Sequence, residues 1–427
     1  MNVVETRELK LPRPYLAWLA GVTVSQLGSA VLMFALGWAA AGLGGTTAAM
    51  VLTLNGLPRV VLLVVGGAVA DRAGARRLLI VGEATLLVLT ATLALTLARF
   101  GTPTWLLIAS SLALGTVTAF CLPATGSMPR RLVPDDQLSR ALALRQSGNQ
   151  AVLIAAAPLG GLLVGTAGLP AIAWGDVLTF GVSLCVLLLV RELSVPSSDK
   201  MPDEPARGRT RLELLDGFRV VRRTPALGEA LLVVGVGAAL MLPVPSLLVP
   251  LIGRASDWGP GVTGVVSGSV GVGMIGAALR AARRRTPPAG VASSESIASP
   301  AGTVVTALAV SASGAAGLTT GVMLAAAHGN AGAVATTVGA LVFGFGNGMF
   351  VARMAPLVLG TAPRTHPARV QALVGLVQLV PVMVTNTFLG ALAEHTSPGW
   401  ALGAIVIALA ACTIWARRIS PEPREAD

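Results

Sequence analysis

Charged residues are scarce in this chain of 427 residues, where they make up 12% against 54% hydrophobic residues. A soluble domain carries roughly a quarter charged residues, so too little polar surface is present to cover a water-soluble globule. The apolar residues form long continuous runs, unlike the ~10-residue alternating segments of an outer-membrane barrel. Since about 20 apolar residues cross the hydrocarbon core as a helix, the sequence predicts an all-α membrane protein.

Residues that carry catalytic or metal chemistry are also few. The chain has three cysteines, all within apolar runs and without metal-type spacing, and three histidines, all at the ends of predicted spans. This pattern argues against a disulfide framework and against a Cys/His metal site. The sequence has no Gly-rich phosphate-binding motif, which argues against ATP-driven transport by this chain. We therefore expect no enzyme, no cofactor and no metal site.

The apolar runs predict twelve transmembrane helices in two pseudo-symmetric six-helix bundles. Residues 1–191 are predicted to form the N-terminal bundle and residues 225–427 the C-terminal bundle. Residues 192–224 are predicted to be a cytoplasmic linker, whose second half is either an amphipathic helix on the inner leaflet or an ordinary charged segment. The predicted spans are 15–41, 46–70, 77–98, 103–126, 140–166, 170–191, 225–252, 261–282, 301–326, 331–360, 367–393 and 398–416.

Basic residues are in excess, with 31 Lys and Arg against 20 Asp and Glu and a net charge of +11. We expect no nucleic-acid binding, because the basic residues lie in short loops beside apolar runs and not along one solvated face. All but Arg59, Arg99 and Arg254 fall on or near one side of the predicted spans. Since Lys and Arg accumulate on the cytoplasmic side, we predict a multi-pass protein of the cell (inner) membrane with both termini in the cytoplasm.

The loop between the second and third predicted spans, residues 66–79, reads GGAVADRAGARRLL. It resembles the signature that the major facilitator superfamily carries between these two spans. The resemblance implies a latch between the two bundles on the cytoplasmic side; the alternative is a topology signal only. The corresponding loop of the second half, 276–285, has Arg280 where an acid would stand, so the latch is one-sided. The signature positions are Gly67, Asp71, Arg72, Gly74, Arg76 and Arg77.

Further stretches resemble the efflux branch of that superfamily, which includes macrolide and siderophore exporters. They are residues 15–40, 55–84 and 138–165. The fifth predicted span also resembles a proline–glycine motif of proton-exchanging exporters, although Ala157 replaces a glycine and the spacing is one residue short. The alternative for this segment is a proline kink between small-residue packing faces. The matching residues are Pro158, Gly160 and Gly161.

Ionisable side chains inside predicted spans are candidates for proton coupling, because a charge in the membrane is costly unless it has a partner. Glu83 lies in the third predicted span and Asp176 in the sixth. Coupling requires a carboxylate that changes charge as the carrier alternates, and either residue could provide it. Arg59, directly after Pro58 in the second predicted span, is a candidate counter-ion for one of them.

Amides and hydroxyls within the predicted spans are candidates for a substrate cavity. In the superfamily that the signature resembles, the fifth and eleventh spans line the central cavity, and polar stripes there suit hydrogen bonding to a substrate. The alternative is interhelical hydrogen bonding that only holds the bundle together. The candidates are Asn55, Gln146, Asn149, Gln150, Asn347, Gln371, Gln378 and Thr385.

These features together predict a secondary active transporter, acting as a monomer in the lipid bilayer. Its function is predicted to be proton-coupled efflux of a small hydrophobic compound (a drug, siderophore or secondary metabolite) by alternating access between the bundles. One alternative is an uptake carrier for a metabolite. Another is a sensor or assembly partner that has a transporter fold and no longer transports.

Overall fold

The computed structural model describes residues 11–65, 74–190, 225–283, 300–328, 330–361 and 367–419. This part of the chain is nearly all helical and contains no strand. The linker 192–224 lies outside the described residues. The helices are α1 Arg13–Ala41, α2 Gly45–Val65, α3 Ala75–Phe100, α4 Thr104–Leu132, α5 Leu138–Thr166, α6 Gly168–Leu189, α7 Pro225–Met241, α8 Val249–Ala255, α9 Pro260–Arg283, α10 Pro300–His328, α11 Asn330–Thr361, α12 Pro367–His395 and α13 Pro398–Ile419.

Each of the twelve predicted spans corresponds to helix, with α7 and α8 together forming the seventh. A π-helical turn, Val244–Leu248, separates these two, and Pro243, Pro245 and Pro250 around it remove backbone donors from the regular ladder. Within the described residues, eleven of the twelve helical segments are long and apolar enough to cross a membrane; α2 is not among them. The prediction of an all-α membrane fold is confirmed.

Helices α1–α6, here called the N-bundle, pack on one another mainly through α1 with α5 and α6, α3 with α4 and α6, and α2 with α4. Helices α7–α13, the C-bundle, pack through α11 with α9 and α10, α10 with α13, and α7 with α12. The bundles meet along three pairs: α5 with α9, α2 with α12, and α1 with α8. The first pair joins span five to span eight and the second joins span two to span eleven, so a parallel six-helix repeat would relate these two crossings to each other.

The closest approaches between the bundles lie toward one end of the molecule. We call the end at which α1 begins and α13 ends the terminal end, and the opposite end, which carries the α1–α2 turn, the distal end. Near the distal end a Cβ on Gly264 of α9 would lie 2.5 Å from the carbonyl oxygen of Ala157 of α5. A Cβ on Gly45 of α2 would meet the carbonyl group of Gly390 of α12. Glycines therefore let backbones touch at both crossings.

Candidate functional site

The N-bundle encloses a cavity of about 330 Å³ to which all six of its helices contribute. Its walls combine leucine, methionine and phenylalanine side chains with polar and charged ones. A concave, mostly apolar pocket with a few convergent polar groups is the usual form of a small-molecule site. The charged and amide groups that line this N-bundle cavity are Gln26, Asn55, Arg59, Glu83, Arg145 and Asp176.

Asp176 is the most deeply buried charged residue of the cavity, with 2% of its surface exposed. Its Oδ1 accepts a hydrogen bond of 2.9 Å from Oγ1 of Thr179, one turn along α6. Its Oδ2 is buried without a hydrogen-bond partner among the described residues. Gly28 of α1 makes the room for this carboxylate, because a Cβ there would lie 2.5 Å from Oδ1. Burying a carboxylate oxygen without a hydrogen-bond partner costs folding free energy, which makes Asp176 a candidate for protonation or for a functional role.

Glu83 of α3 faces the same space. Oγ of Ser25 in α1 donates a hydrogen bond of 3.4 Å to its Oε2. Glu83 lies close enough to Asp176 for the two carboxyl groups to interact electrostatically. A low-dielectric surrounding strengthens the Coulomb interaction between charges, so two ionised carboxylates here would repel each other more than they would in water. Both candidate carboxylates thus line the same cavity.

Two arginines bring positive charge to the cavity. Arg59 of α2 and Arg145 of α5 both line it, and the Nε of each is buried without a hydrogen-bond partner among the described residues. No ion pair within 4 Å joins Arg59 to Glu83 or Asp176 in the part of the chain that is described. Arg59 therefore shares the cavity with both carboxylates without being locked to either one.

The predicted amide positions are distributed over several environments. Asn55 lines the N-bundle cavity and also ties α2 to α4, since its Nδ2 donates to the carbonyl oxygen of Ser111 at 3.2 Å. Asn347 and Gln378 point their side-chain nitrogens at methionine sulfurs of the C-bundle, 3.8 and 4.0 Å away. Four other candidates do not line the N-bundle cavity: Gln146 is exposed, and Asn149, Gln150 and Thr385 are half-buried. The side chain of Gln371 lies outside the described residues.

The predicted latch is described only in part, because Gly67, Asp71 and Arg72 lie outside the described residues. Gly74 precedes α3 with φ of +77°, a conformation that favours glycine. An Nη2 of Arg76 donates to the carbonyl oxygens of Leu187 and Leu188 at 3.0 and 3.1 Å. Arg76 thus places positive charge at the C-terminus of α6, where the helix dipole favours a cation. Arg77 is exposed.

The glycine pair of α5 faces two different helices. A Cβ on Gly160 would lie 2.8 Å from the Phe34 ring of α1, whereas one on Gly161 would lie 2.9 Å from Cα of Gly264 in α9. The Pro158 ring lies against Gly268 of α9. These contacts support the alternative of small-residue packing faces around a proline, and whether the segment also serves proton exchange stays a prediction.

Sequence reasoning missed Arg145 at the cavity, and it also missed two charged residues that join the bundles elsewhere. Arg145 directly precedes Gln146, the first polar residue of the stripe in the fifth span, and lies four residues before Asn149. Because residues four apart share a helix face, the sequence could have indicated that Arg145 faces the same region. Arg254 and Glu394 lie at the ends of helices and were assigned no function, because nothing local in the sequence shows that each contacts the opposite bundle.

Comparisons with known proteins agree with this architecture. Among solved structures, the nucleoside transporter NupG superposes with a TM-score of 0.72 at 12% identity, over 96% of this chain and 100% of that one. A bacterial homologue of the iron transporter ferroportin, in an inward-facing state, gives 0.70 at 13% identity, over 97% and 100%. A POT family transporter in complex with a thioalcohol-conjugated peptide gives 0.70 at 13%, over 96% and 97%.

At these sequence identities, structural similarity to the solved transporters shows the fold alone. A search of curated proteins finds no significant match. The family evidence comes from the sequence itself. The family model of the Major Facilitator Superfamily matches residues 18–341, which are more than half of the chain and include every residue that lines the N-bundle cavity. This chain is therefore a transporter, not an enzyme, and belongs to the major facilitator superfamily.

Proposed function

We propose that the protein exports a small, fairly hydrophobic compound in exchange for protons, by alternating access between the N-bundle and the C-bundle. In this proposal both termini face the cytoplasm of the cell (inner) membrane and the protein acts as a monomer. The observation that carries the proposal is the presence of Glu83 and Asp176 in one buried cavity, within electrostatic reach of each other.

The proposed coupling follows from the energetics of that pair. Two ionised carboxylates in the N-bundle cavity repel each other, and binding one proton removes most of the repulsion. Protonation therefore changes the relative free energies of cavity shapes that bring Asp176 and Glu83 together or separate them. Arg59, which lines the same cavity without an ion pair to either, supplies a positive charge that can follow whichever carboxylate is ionised.

The apolar part of the cavity supports a hydrophobic cargo. Leu86, Leu114 and Phe180 contribute to its walls together with other aliphatic side chains, so a ligand gains free energy by leaving water at roughly 25 cal/mol for each Å² of apolar surface that is buried. The few polar groups would orient the ligand by hydrogen bonds. The resemblance to macrolide and siderophore exporters points to the same class of compound.

The proposal is tested in two stages. Cells that express the protein are first exposed to a panel of macrolides and siderophores, and the compound to which resistance rises is used in everted membrane vesicles. D176N and E83Q are then compared with E229Q, an exposed carboxylate of α7 that serves as the matched control. We expect at least one cavity variant to lose pH-driven transport by about tenfold or more while keeping energy-independent substrate exchange, and E229Q to resemble the parent.

Other outcomes would lead to other functions. Full pH-driven transport by both D176N and E83Q would show that neither carboxylate carries the proton. Loss of growth on one nutrient when the gene is deleted, without any change in drug sensitivity, would favour uptake. The absence of both phenotypes, together with a stable protein partner, would favour a non-transporting sensor.

A further inference from the structure

Two charged side chains of the C-bundle hold the turn between α1 and α2 of the N-bundle. Arg254, at the end of α8, donates from Nε and Nη2 to the carbonyl oxygen of Trp38 at 3.3 and 3.1 Å. Its guanidinium carbon also lies 4.1 Å from the centroid of the Trp38 ring. A cation over an indole ring is attracted to it, so Arg254 binds both the backbone and the ring of one residue.

Glu394, near the end of α12, contacts the other side of the same turn. Its Oε2 accepts hydrogen bonds from the backbone nitrogen of Thr46 at 2.7 Å and from Oγ1 of Thr46 at 2.5 Å. Thr46 belongs to the first turn of α2, where backbone N–H groups have no partner within the helix. Glu394 therefore caps an N-bundle helix from the C-bundle.

The sign of each charge matches the helix end that it contacts. Trp38 lies in the last turn of α1, where the aligned peptide dipoles leave partial negative charge on the carbonyl oxygens. Thr46 lies in the first turn of α2, where they leave partial positive charge on the N–H groups. The cation Arg254 lies at the first site and the anion Glu394 at the second, so both contacts are charge-assisted.

Glycines allow the turn to fit between the two side chains. A Cβ on Gly42 would lie 3.1 Å from Cζ of Arg254, and one on Gly44 would lie 3.2 Å from Oε2 of Glu394. Gly44 also has φ of +128°, a conformation that side chains rarely adopt. The α1–α2 turn is thus enclosed from both sides by the opposite bundle.

We propose that Arg254 and Glu394 form a distal clamp, a pair of positioning residues that stabilises the closed distal end and must release α1 and α2 whenever that end opens. The clamp joins helices of the two bundles through backbone dipoles, without requiring an ion pair between side chains. The inference rests on the proposed alternating access, but on neither the direction of transport nor the coupling ion.

The test measures the opening of the distal end directly. The native cysteines are replaced, and spin labels are attached at T102C, in the turn between α3 and α4, and at G259C, before α9. Both positions are exposed, and they lie on opposite bundles. Pulsed electron paramagnetic resonance on the protein in lipid nanodiscs then gives the distribution of distances between the two spin labels. We expect E394Q and R254Q each to raise the ratio of distal-open to distal-closed molecules by on the order of tenfold, since charged hydrogen bonds are being lost.

Conservative variants and matched controls distinguish the effect of losing the clamp contacts from the effect of removing a charge at the distal end. E394D and R254K keep the charge, so we expect smaller rises than for E394Q and R254Q. D257N and R99Q remove exposed charges of the same signs at the same end, and we expect neither to change the ratio. Asp257 has φ of +53°, which asparagine tolerates well.

The outcomes that would overturn the clamp are distinct from those that bear on proton export. Unchanged distance distributions in folded E394Q and R254Q would overturn it, even if the parent shows pH-driven transport. If E394Q does not fold, T46V removes only the hydroxyl donor to Glu394 and should raise the ratio by about threefold; no rise would also overturn the clamp. Absence of pH-driven transport in the parent would affect the proposed function and not the clamp.

Discussion

Gly28 of α1 illustrates how one residue position makes a buried carboxylate possible. The side chains of Asp176 and Thr179 occupy the space in which a Cβ on Gly28 would lie. The described C-bundle has no comparable feature, since its buried polar residues are amides and hydroxyls such as Asn347, Asn386 and Ser311. Within the described residues, the buried candidates for proton coupling therefore lie in the N-bundle.

We predict that Gly28→Ala displaces the Asp176–Thr179 pair and destabilises the protein by about 1–3 kcal/mol, the usual cost of overpacking. Thermal unfolding in detergent measures the loss, and the vesicle assay should show weaker pH-driven transport. Gly37→Ala is the matched control on the same helix, because nothing lies within 4 Å of its added Cβ. Equal melting temperatures for G28A and G37A would contradict the prediction.

The residues of the cavity were partly accessible to sequence reasoning. Arg59, Glu83 and Asp176 could be found because an ionisable group in an apolar run is unusual wherever the helix packs. The role of Gly28 could not, because a glycine in a membrane helix is common and only its neighbours on α6 give it meaning. Pairings across helices depend on rotation and register, which local composition does not determine.

At the scale of helices, the crossing of α5 and α9 determines how closely the bundles approach. Gly161 and Gly264 bring the two backbones together, and Pro158 lies against Gly268 one turn further along. Association in a membrane gains from such close backbone packing, because lipid tails are as apolar as the helices themselves. In the seventh span, by contrast, prolines interrupt the helix itself and divide it into α7, a π-helical turn and α8.

We predict that Gly264→Ala loosens this crossing. Its Cβ would lie 2.5 Å from the carbonyl oxygen of Ala157 and 3.0 Å from Cα of Gly161, and backbone atoms cannot move aside as a flexible side chain can. The distance measurement between residues 102 and 259 should then shift toward the distal-open state by several-fold. Gly261→Ala, on the same helix with nothing within 4 Å of its Cβ, should leave the distribution unchanged; an equal effect of both variants would refute this interpretation.

At the scale of the whole molecule, the number and position of the helices followed from hydrophobic run length, because the membrane thickness fixes how many apolar residues a span needs. The superfamily followed from a short signature whose residues are specific only in their place between two spans. The contacts between bundles could not be foreseen. Arg254 and Glu394 are separated by most of the C-bundle in sequence, and only the folded arrangement brings both to the α1–α2 turn.

The two ends of a carrier that alternates must be energetically linked, because closing one accompanies opening the other. The signature resemblance implies a latch on the cytoplasmic side that depends on Asp71, and the proposed clamp lies at the distal end. Weakening the latch should therefore favour the distal-closed state, whereas weakening the clamp should favour the distal-open state.

We accordingly predict that D71N lowers transport by about tenfold while membrane insertion is unchanged. The D71N/E394Q double variant should return the ratio of distal-open to distal-closed molecules to within about threefold of the parent, because opposing biases on one equilibrium add as free energies. D135N, which removes an exposed acid from the short 3₁₀ helix Asp135–Gln137 before α5, is the control and should have no effect. Normal transport by well-inserted D71N would reduce the signature to a topology signal. A double variant as strongly distal-open as E394Q alone would show that the two ends are not linked through Asp71.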